Sequence, residues 1–336
     1  YRIAKKMSRI ALSLFVVVLS AVAVAAMPKP NILFIAVDDL RPAIGCYGDI
    51  YAITPNLDRL ARRGVRFGQA HCQVAVCNPS RASLMTGLRP DTLGVWTLPI
   101  HFREAKPEAV TLPQWFRRHG YTAVSHGKIY HNPTPDPQSW SEPIRRVRAQ
   151  RGYPRSVVAQ IRAAQAKLPP QDWRKNNLRG PGSFATNVDG NKLVDGVNTS
   201  LTIDDLRRLG KTQQPFFVAM GFIRPHLPWI APKKYWDLYD PKKLPVITDG
   251  KVNANTPPYA LSNSYELTHY VDLIDFPKPW DKRRIPEEQA RRLMHAYYAS
   301  VSFVDAQIGR ILAALDEEGL TDNTIIVLWS DHGWKL

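Results

Sequence analysis

Apolar residues along the chain fall either into short continuous runs or into longer stretches with helical spacing. Asn31 to Val37 is almost continuously apolar, as expected for a strand that is buried on both faces of a sheet. Similar runs at Tyr121 to Ser125 and Phe216 to Met220, and a β-branched run at Thr324 to Leu328, predict three further strands. Helical stretches separate these runs, which predicts an α/β fold with a largely parallel sheet.

Three stretches have the spacing and the end signals of helices. Pro55 to Arg63 is followed by a glycine, and Thr111 to His119 has a proline in its first turn and a glycine after its end. Pro286 to Glu318 is the longest, with apolar residues one to four positions apart, and it ends at Gly319. The segments 132–201 and 241–283 are instead rich in proline, and their composition predicts irregular structure. We interpret both as long insertions at the rim of the fold, where substrate pockets are usually shaped.

The first residues have the pattern of an export signal. Four basic residues precede an apolar run from Ile10 to Val24, and small residues follow up to Ala26. A membrane anchor is the alternative, but the run of roughly 15 residues is shorter than the ~20 that a spanning helix needs. We therefore expect a signal peptide at 1–26, a mature chain from residue 27, and a periplasmic or secreted protein with no stable membrane insertion after cleavage.

The chain is strongly basic. Its formal net charge of +16 becomes about +12 without the predicted signal peptide. The excess is concentrated in the segment 141–180, which has two acidic residues and the following basic ones: Arg145, Arg146, Arg148, Arg151, Arg155, Arg162, Lys167, Arg174, Lys175 and Arg179. This segment is either a surface that attracts a polyanion or a solvated face. Nucleic acid is disfavoured as a partner, because no known reader motif is present and an exported protein would not meet it.

Two acidic segments follow predicted strands at the point where ligands bind in open parallel sheets. Asp38 and Asp39 follow the first strand, and Asp331 and His332 closely follow the last. Taken separately, each pair fits a turn or a helix cap. If the two strands are neighbours, three carboxylates converge, and they require protons or a cation. Oxygen ligands indicate calcium, with magnesium as the alternative, while His332 leaves zinc open.

Cys77 lies at a second candidate site. Pro79 suits the first position of a helix that ends at Gly87, so we expect Cys77 just before a helix N-terminus and Arg81 on the first turn. A thiol there should have a lowered pKa, which suggests a cysteine nucleophile, and a buried small residue is the alternative. The other cysteines, Cys46 and Cys72, either pair with each other or are free.

The segment Cys77-x-Pro79-Ser80-Arg81, with Thr86-Gly87 downstream, resembles the signature of the sulfatase family that directs oxidation of the cysteine to formylglycine. The resemblance extends from Asn31 to Trp334 and is closest to the iduronate-2-sulfatase branch. It rests on the segments Val37-Asp-Asp-Leu-Arg-Pro42, Gly45-Cys-Tyr-Gly48, Arg89-Pro-Asp91, Gly127-Lys-Ile-Tyr-His131, Arg224-Pro-His-Leu-Pro228 and Ser330-Asp-His-Gly-Trp334.

The resemblance implies an alkaline-phosphatase-like sandwich and a sulfuric ester hydrolase that depends on a formylglycine-generating maturation enzyme. Asp38, Asp39, residue 77, Asp331 and His332 would hold one divalent metal. A hydroxyl of the formylglycine hydrate would attack sulfur. Arg81 would hold the hydrate, Lys128 would bind sulfate oxygens, His131 would accept a proton from the second hydroxyl, and His226 would protonate the leaving alcohol.

Members of the family continue beyond this point, with a Gly-Glu-His segment, a further sulfate-binding lysine and a smaller C-terminal domain. The resemblance therefore implies that residues 27–336 are an N-terminal catalytic domain, C-terminally truncated, without that lysine and that smaller domain. The branch and the basic segment suggest a sulfated carbohydrate substrate, specifically a 2-sulfated uronic acid of a glycosaminoglycan. Two alternatives stay open. One is a phosphoesterase or phosphonate hydrolase of the same superfamily, and the other is an inactive, secreted polyanion-binding fragment.

Overall fold

The structure is a computed structural model, and it describes residues 29–145, 147–245, 255–257, 265–277 and 285–334. The predicted signal peptide at 1–26 and Arg146 of the basic segment lie outside the described residues, and the predicted domain boundaries stay a prediction. Within the described ranges, no helix has both the length and the apolar character that crossing a membrane requires.

The four predicted strands form one sheet. The described strands are β1 (Asn31–Val37), β2 (Thr122–Gly127), β3 (Ser183–Thr186), β4 (Phe216–Phe222), β5 (Trp229–Pro232) and β6 (Thr324–Ser330). The central sheet has the order β2-β4-β1-β6, and all its neighbouring pairs are parallel. β3 and β5 pair in a second, smaller parallel sheet. The α/β prediction with a largely parallel sheet is thus confirmed.

Helices surround the central sheet. They are α1 (Pro55–Arg62), α2 (Cys77–Thr86), α3 (Pro90–Leu93), α4 (Phe102–Ala105), α5 (Leu112–Arg118), α6 (Arg155–Lys167), α7 (Arg174–Asn177), α8 (Val194–Leu209), α9 (Lys233–Trp236) and α10 (Glu287–Glu317). Short 3₁₀ turns lie at Gly45–Tyr47, Pro137–Ser139, Gly190–Lys192, Pro241–Lys243, Tyr265–His269 and Thr321–Asn323. The three helices predicted from spacing correspond to α1, α5 and α10, each within two residues at either end.

The sheet is the middle layer of a sandwich, because alternate residues of a strand point to opposite faces. Leu33 and Ile35 of β1 belong to a buried cluster that includes residues of α8 and α10. Ile32 and Phe34 belong to a second cluster, with residues of α2 and of the segment around α5. Both faces of β1 are therefore covered, which explains its continuous apolar run.

The segment 132–201 is more regular than its composition suggests. It contains the 13-residue helix α6, the strand β3 and the first half of α8. Treating the whole segment as an irregular insertion was wrong, since prolines mark its boundaries while alanine, glutamine and arginine within α6 favour a helix. Of the segment 241–283, the described parts contain two 3₁₀ turns and an isolated β-bridge between Tyr270 and Arg179.

A carboxylate from α10 caps the distant helix α1. Asp305 Oδ1 accepts hydrogen bonds from the backbone N–H groups of Leu57 at 2.8 Å and Asn56 at 3.0 Å. The N-cap residue Thr54 does not do so, because its hydroxyl accepts a hydrogen bond from Gly45 instead. The buried Asp305 therefore satisfies N–H groups that the helix itself leaves unpaired.

We expect Asp305→Ala to lower the free energy of unfolding by about 2–4 kcal/mol, because two N–H groups lose a charged acceptor. Asp316→Ala on the same helix is the matched control. Its exposed carboxylate lies 3.7 Å from Arg63, a surface ion pair that contributes about 0–1 kcal/mol. Urea denaturation measures both variants, and equal losses would contradict the capping role of Asp305.

Candidate active site

Three carboxylates converge where β1 and β6 end. The two strands are neighbours, and Val37 lies opposite Ser330, so Asp38 and Asp331 leave the sheet side by side. Carboxylate oxygens of Asp38, Asp39 and Asp331 lie within 4.8 Å of one another, and all three side chains are buried. The structure therefore meets the condition for this convergence, because β1 and β6 are neighbours in the sheet.

The turn after β1 has an unusual backbone conformation at its second aspartate. Asp39 has a φ of 59°, in the left-handed region that residues other than glycine rarely adopt. Tyr297 of α10 holds this turn, because its hydroxyl donates to the Asp39 carbonyl at 2.8 Å and accepts from the Arg41 N–H at 2.9 Å. The backbone N–H of Asp39 donates to Asp331 at 3.1 Å. The sequence contains no local signal for the role of Tyr297.

Cys77 is the first residue of α2, not the residue before it. Val76 is the N-cap, and Pro79 is the third helical residue instead of the first. The prediction placed the start two residues late, because a proline is tolerated throughout the first turn, where N–H groups have no helical partner. Gly87 ends the helix with a φ of 70°, as expected.

Arg81 lies one turn along α2 and is fully buried. Its guanidinium contacts Asp38 Oδ1 and Asp331 Oδ2, both at 2.8 Å, and also donates to the carbonyl oxygens of Lys128 and Ile129. Burial would lower the pKa of Arg81, but Asp331 and Asp38 raise it overall. The described contacts of Arg81 thus join α2 to the carboxylates, and its predicted hold on residue 77 stays a prediction.

Lys128 lies on the turn that follows β2. Gly127 has a φ of 71°, and a Cβ there would lie 2.0 Å from the carbonyl oxygen of Gly221, so only glycine fits. The tight turn brings Lys128 Nζ within 3.7 Å of Cys77 Sγ and into an ion pair with Asp38. Burial would lower the pKa of Lys128, but Asp38 raises it overall. The ammonium therefore stays charged beside position 77.

Two histidines flank the carboxylates. His332 Nε2 lies 3.2 Å from Cys77 Sγ, and its Nδ1 lies 3.2 Å from Asp39 Oδ1. One ring nitrogen of His226 lies within 4.8 Å of Cys77 Sγ and of an Asp38 oxygen. His226 Nδ1 donates to the Leu227 carbonyl at 2.6 Å, which leaves Nε2 facing the site.

His131 is less closely connected to this group. Its Nδ1 is buried without a hydrogen-bond partner among the described residues. Burial, with the nearby Lys128, lowers the pKa of His131 to about 4. It is absent from the described groups of possible ligand atoms that lie within 4.8 Å of one another. Its predicted role as a proton acceptor at position 77 thus stays a prediction.

Besides Tyr297, Glu266 also lies at the site without having been predicted. Glu266 Oε1 lies 3.6 Å from His226 Nε2. Burial lowers the pKa of His226 to about 4, although Glu266 acts in the opposite direction. Glu266 lies in the segment 241–283, where neither periodicity nor a motif indicated it.

The predicted lowering of the Cys77 pKa is wrong. Burial raises the pKa of this thiol, and the negative charge of Asp38 raises it further. The thiol is only 6% exposed, so loss of hydration outweighs the favourable helix N-terminus and the charge of Lys128. An unmodified thiolate is therefore disfavoured at this position.

The donor set fits a hard divalent cation. Arg81 and Lys128 form ion pairs with Asp38, and Arg81 also pairs with Asp331, but neither pairs with Asp39 among the described contacts. Asp39 Oδ1 is buried and accepts no hydrogen bond from the described residues, since the nearby Nδ1 of His332 donates to the Gly333 carbonyl at 3.2 Å. Burial and the adjacent Asp38 raise the pKa of Asp39. A cation bound by the three carboxylates would remove this imbalance.

We expect calcium or magnesium to stabilise the protein by about 2–3 kcal/mol at a hundredfold excess over its Kd, since the ion binds only the folded site. Asp39→Asn should abolish this response without disturbing the ion pairs of Arg81. Asp136→Asn is the control, because this buried carboxylate pairs with Arg103 instead. Thermal melts with cation and with chelator measure the effect, and an undiminished response in Asp39→Asn would contradict the assignment.

Two further expectations concern residues around the site. All three cysteines are free, so Cys46 and Cys72 do not pair in this structure. In the basic segment, Arg145, Arg174 and Arg179 form ion pairs with acidic residues, while Arg155 and Arg162 of α6 are exposed. The segment therefore combines internal ion pairs with an exposed basic surface.

Comparison with known proteins identifies relatives over nearly the whole chain. The Sulfatase family model matches residues 30–336. Iduronate 2-sulfatase of Mus musculus is 36% identical over 315 residues, which are 91% of this chain and 55% of the mouse protein. A sulfatase of Formosa agariphila is 36% identical over 321 residues, which are 92% of this chain and 59% of that protein. The chain thus spans just over half the length of these relatives.

Solved structures share the fold at lower identity. The phosphonate monoester hydrolase of Agrobacterium radiobacter matches with a TM-score of 0.63 and 23% identity, over 92% of this chain and 64% of that one. A protein described as a 2-O GAG sulfatase matches with a TM-score of 0.54 and 22% identity, over 91% of this chain and 58% of that one. These similarities agree with the predicted alkaline-phosphatase-like sandwich. On the family match and the identity to its relatives, the chain belongs to the sulfatase family.

Proposed function

We propose that this chain carries the catalytic centre of an enzyme that hydrolyses the sulfate ester of a sulfated sugar, with formylglycine at position 77 and one divalent cation, calcium or alternatively magnesium. One observation carries the proposal. Cys77 begins a helix and lies within 3.7 Å of a buried ammonium group and 3.2 Å of His332, next to three buried carboxylates. The proposed nucleophile, the charge that would bind an anion and the candidate metal ligands therefore lie close together.

Formylglycine and the cation would supply the chemistry that the unmodified side chains lack. Formylglycine would supply a hydrate hydroxyl as the nucleophile. Asp38, Asp39, Asp331 and His332, with residue 77, would hold the cation, which would polarise the hydrate and the sulfate oxygens.

The side chains around position 77 would then orient the ester and move protons. Lys128 would bind a sulfate oxygen, and Arg81 would keep the hydrate and the carboxylates in place. His226 would protonate the leaving sugar oxygen through Nε2, the nitrogen that does not donate to Leu227. His131, neutral because of its lowered pKa, would accept a proton from the second hydroxyl of the hydrate.

For the substrate, we propose a 2-sulfated uronic acid of a glycosaminoglycan. The support is the 36% and 35% identity to proteins named iduronate 2-sulfatase in mouse and human. The exposed arginines of α6 add positive charge that suits a carboxylated and sulfated sugar chain. A formylglycine-generating enzyme would act on Cys77 before or during export to the periplasm or the exterior.

The test measures turnover of four substrates. The protein is produced together with a formylglycine-generating enzyme. We expect turnover of an aryl sulfate to exceed that of the matching aryl phosphate, and release of sulfate from a 2-sulfated uronate to exceed release from glucosamine 6-sulfate. Preference for the phosphate would contradict the sulfatase activity and favour the phosphoesterase alternative. Preference for the glucosamine ester would contradict only the proposed substrate. Unmodified Cys77 with no turnover would favour the inactive, polyanion-binding alternative.

A further inference from the structure

Three aromatic rings, two of them exposed and one partly buried, form a cluster beside the candidate active site. The ring centroids of Trp173 and Tyr265 are 5.2 Å apart, those of Trp173 and His269 are 4.2 Å apart, and those of Tyr265 and His269 are 4.8 Å apart. Trp173 is 39% exposed and Tyr265 is 53% exposed. We call these three residues the aromatic platform. Tryptophan and tyrosine are enriched at binding surfaces, so two exposed rings in mutual contact indicate such a surface.

The two segments that carry the platform are fastened together. The Arg179 N–H donates to the His269 carbonyl at 2.7 Å, and the Val271 N–H donates to the Arg179 carbonyl at 3.2 Å. Arg174 pairs with Asp172 at 2.6 Å and also donates to the Ile274 carbonyl at 3.0 Å. The rings therefore occupy defined positions before a ligand arrives, which reduces the entropy lost on binding.

The platform is connected to the candidate active site through one residue. Glu266 lies in the 3₁₀ turn Tyr265–His269, which also carries two of the platform rings. Its carboxylate lies 3.6 Å from His226 Nε2 on one side and 3.9 Å from Arg179 Nη1 on the other. The turn that carries two of the three platform rings therefore adjoins the histidine that would protonate the leaving oxygen.

We propose that the aromatic platform binds the pyranose ring of the sulfated substrate, with Arg179 contacting a carboxylate or sulfate group on that sugar. This inference rests on the proposed function, because it assigns the sugar of the same substrate to a surface. A pyranose ring has apolar C–H faces that stack on aromatic rings and polar edges that need separate partners. The platform offers both, with the exposed parts of the Trp173 and Tyr265 rings and one half-exposed guanidinium.

Arg179 and the neutral ring of His269 suit an anionic sugar, although the Glu266 carboxylate also lies at this surface. Burial lowers the pKa of His269, so its ring is neutral and stacks as an uncharged aromatic group. Arg179 Nη1 donates to the Tyr270 hydroxyl at 3.2 Å and lies 3.9 Å from Glu266 Oε1, and the guanidinium lies 5.7 Å from the centroid of the Tyr270 ring. Its guanidinium keeps donors available for a ligand.

The test measures binding of an unsulfated uronic acid–hexosamine disaccharide by calorimetry, because this probe needs neither formylglycine nor turnover. We expect Trp173→Ala and Tyr265→Ala each to raise its Kd about tenfold, and Trp173→Phe to have a much smaller effect. Arg179→Gln should also raise the Kd. Trp115→Ala is the matched control, since Trp115 is likewise exposed and stacks on a histidine, His119, near the other end of the strands.

Several outcomes would overturn the platform. It is wrong if the unchanged chain does not bind the disaccharide, or if both alanine variants bind as tightly as the unchanged chain. It is also wrong if Trp115→Ala weakens binding as much as Trp173→Ala. The expected pattern without any hydrolysis of sulfate esters would uphold the platform and contradict the proposed function, so the two failures are distinguishable.

Discussion

Cys77→Ala is expected to lower turnover of an aryl sulfate by roughly four orders of magnitude or more, because the variant lacks the atom from which the nucleophile is made. The small side chain leaves α2, Arg81 and the three carboxylates in place, so folding should be preserved. Turnover would be measured in protein produced together with a formylglycine-generating enzyme. Thermal melts would verify that the variant is folded.

The matched control is Cys72→Ala. Cys72 lies five residues earlier, is exposed and is free, so its replacement should leave turnover unchanged. In the unchanged chain, the peptide that contains Cys77 should be lighter by about 18 Da after oxidation to formylglycine. Full activity together with an unmodified peptide mass would contradict the proposed nucleophile, because turnover would then proceed with a thiol.

His226→Ala should have an effect that depends on the leaving group. A sugar alkoxide is a poor leaving group and needs a proton, so release of sulfate from a sugar should slow by about 10²- to 10⁴-fold. An activated aryl sulfate leaves as a stabilised phenolate, and its hydrolysis should slow far less. Parallel kinetics with the two substrates measure the difference. Equal losses on both would indicate that His226 binds sulfate or supports the site instead of donating a proton.

The pH dependence gives a second measure of the same residue. Burial lowers the pKa of His226 to about 4 in the free protein, so the ring carries its acidic proton only at low pH or when an anionic ester binds beside it. We expect kcat/KM for the sugar sulfate to fall as pH rises, and this fall to disappear in His226→Ala. His119→Ala, which changes an exposed histidine, should keep the profile of the unchanged chain.

The central fold could be predicted because local patterns agree with it. The apolar run of β1 needs cover on both faces, and the sandwich provides it through two separate buried clusters. The strand ends were less predictable, since β4 continues to Phe222 and β6 to Ser330 beyond the clearest apolar residues. Pairing with neighbouring strands extends a strand past its own propensity.

The candidate site likewise has features that the sequence predicts and features that depend on the tertiary structure. By itself, the sequence determined the residue types and their order: the aspartates after two strands, the Cys77 segment, and the Lys128 and His226 segments. These signals are local, because strand ends and helix starts constrain the residues beside them. The pairing of β1 with β6 turned two separate acidic segments into one cluster. Only the tertiary structure decided that.

The environment of Cys77 also depended on the tertiary structure, and so did the unpredicted residues. A helix N-terminus lowers the pKa of a thiol, but burial next to Asp38 reverses the effect. Glu266, Trp173 and Tyr265 come from segments without periodicity, and they adjoin the site through long-range contacts. Desolvation and charge depend on which distant segments surround a group, and that packing is decided by the fold as a whole.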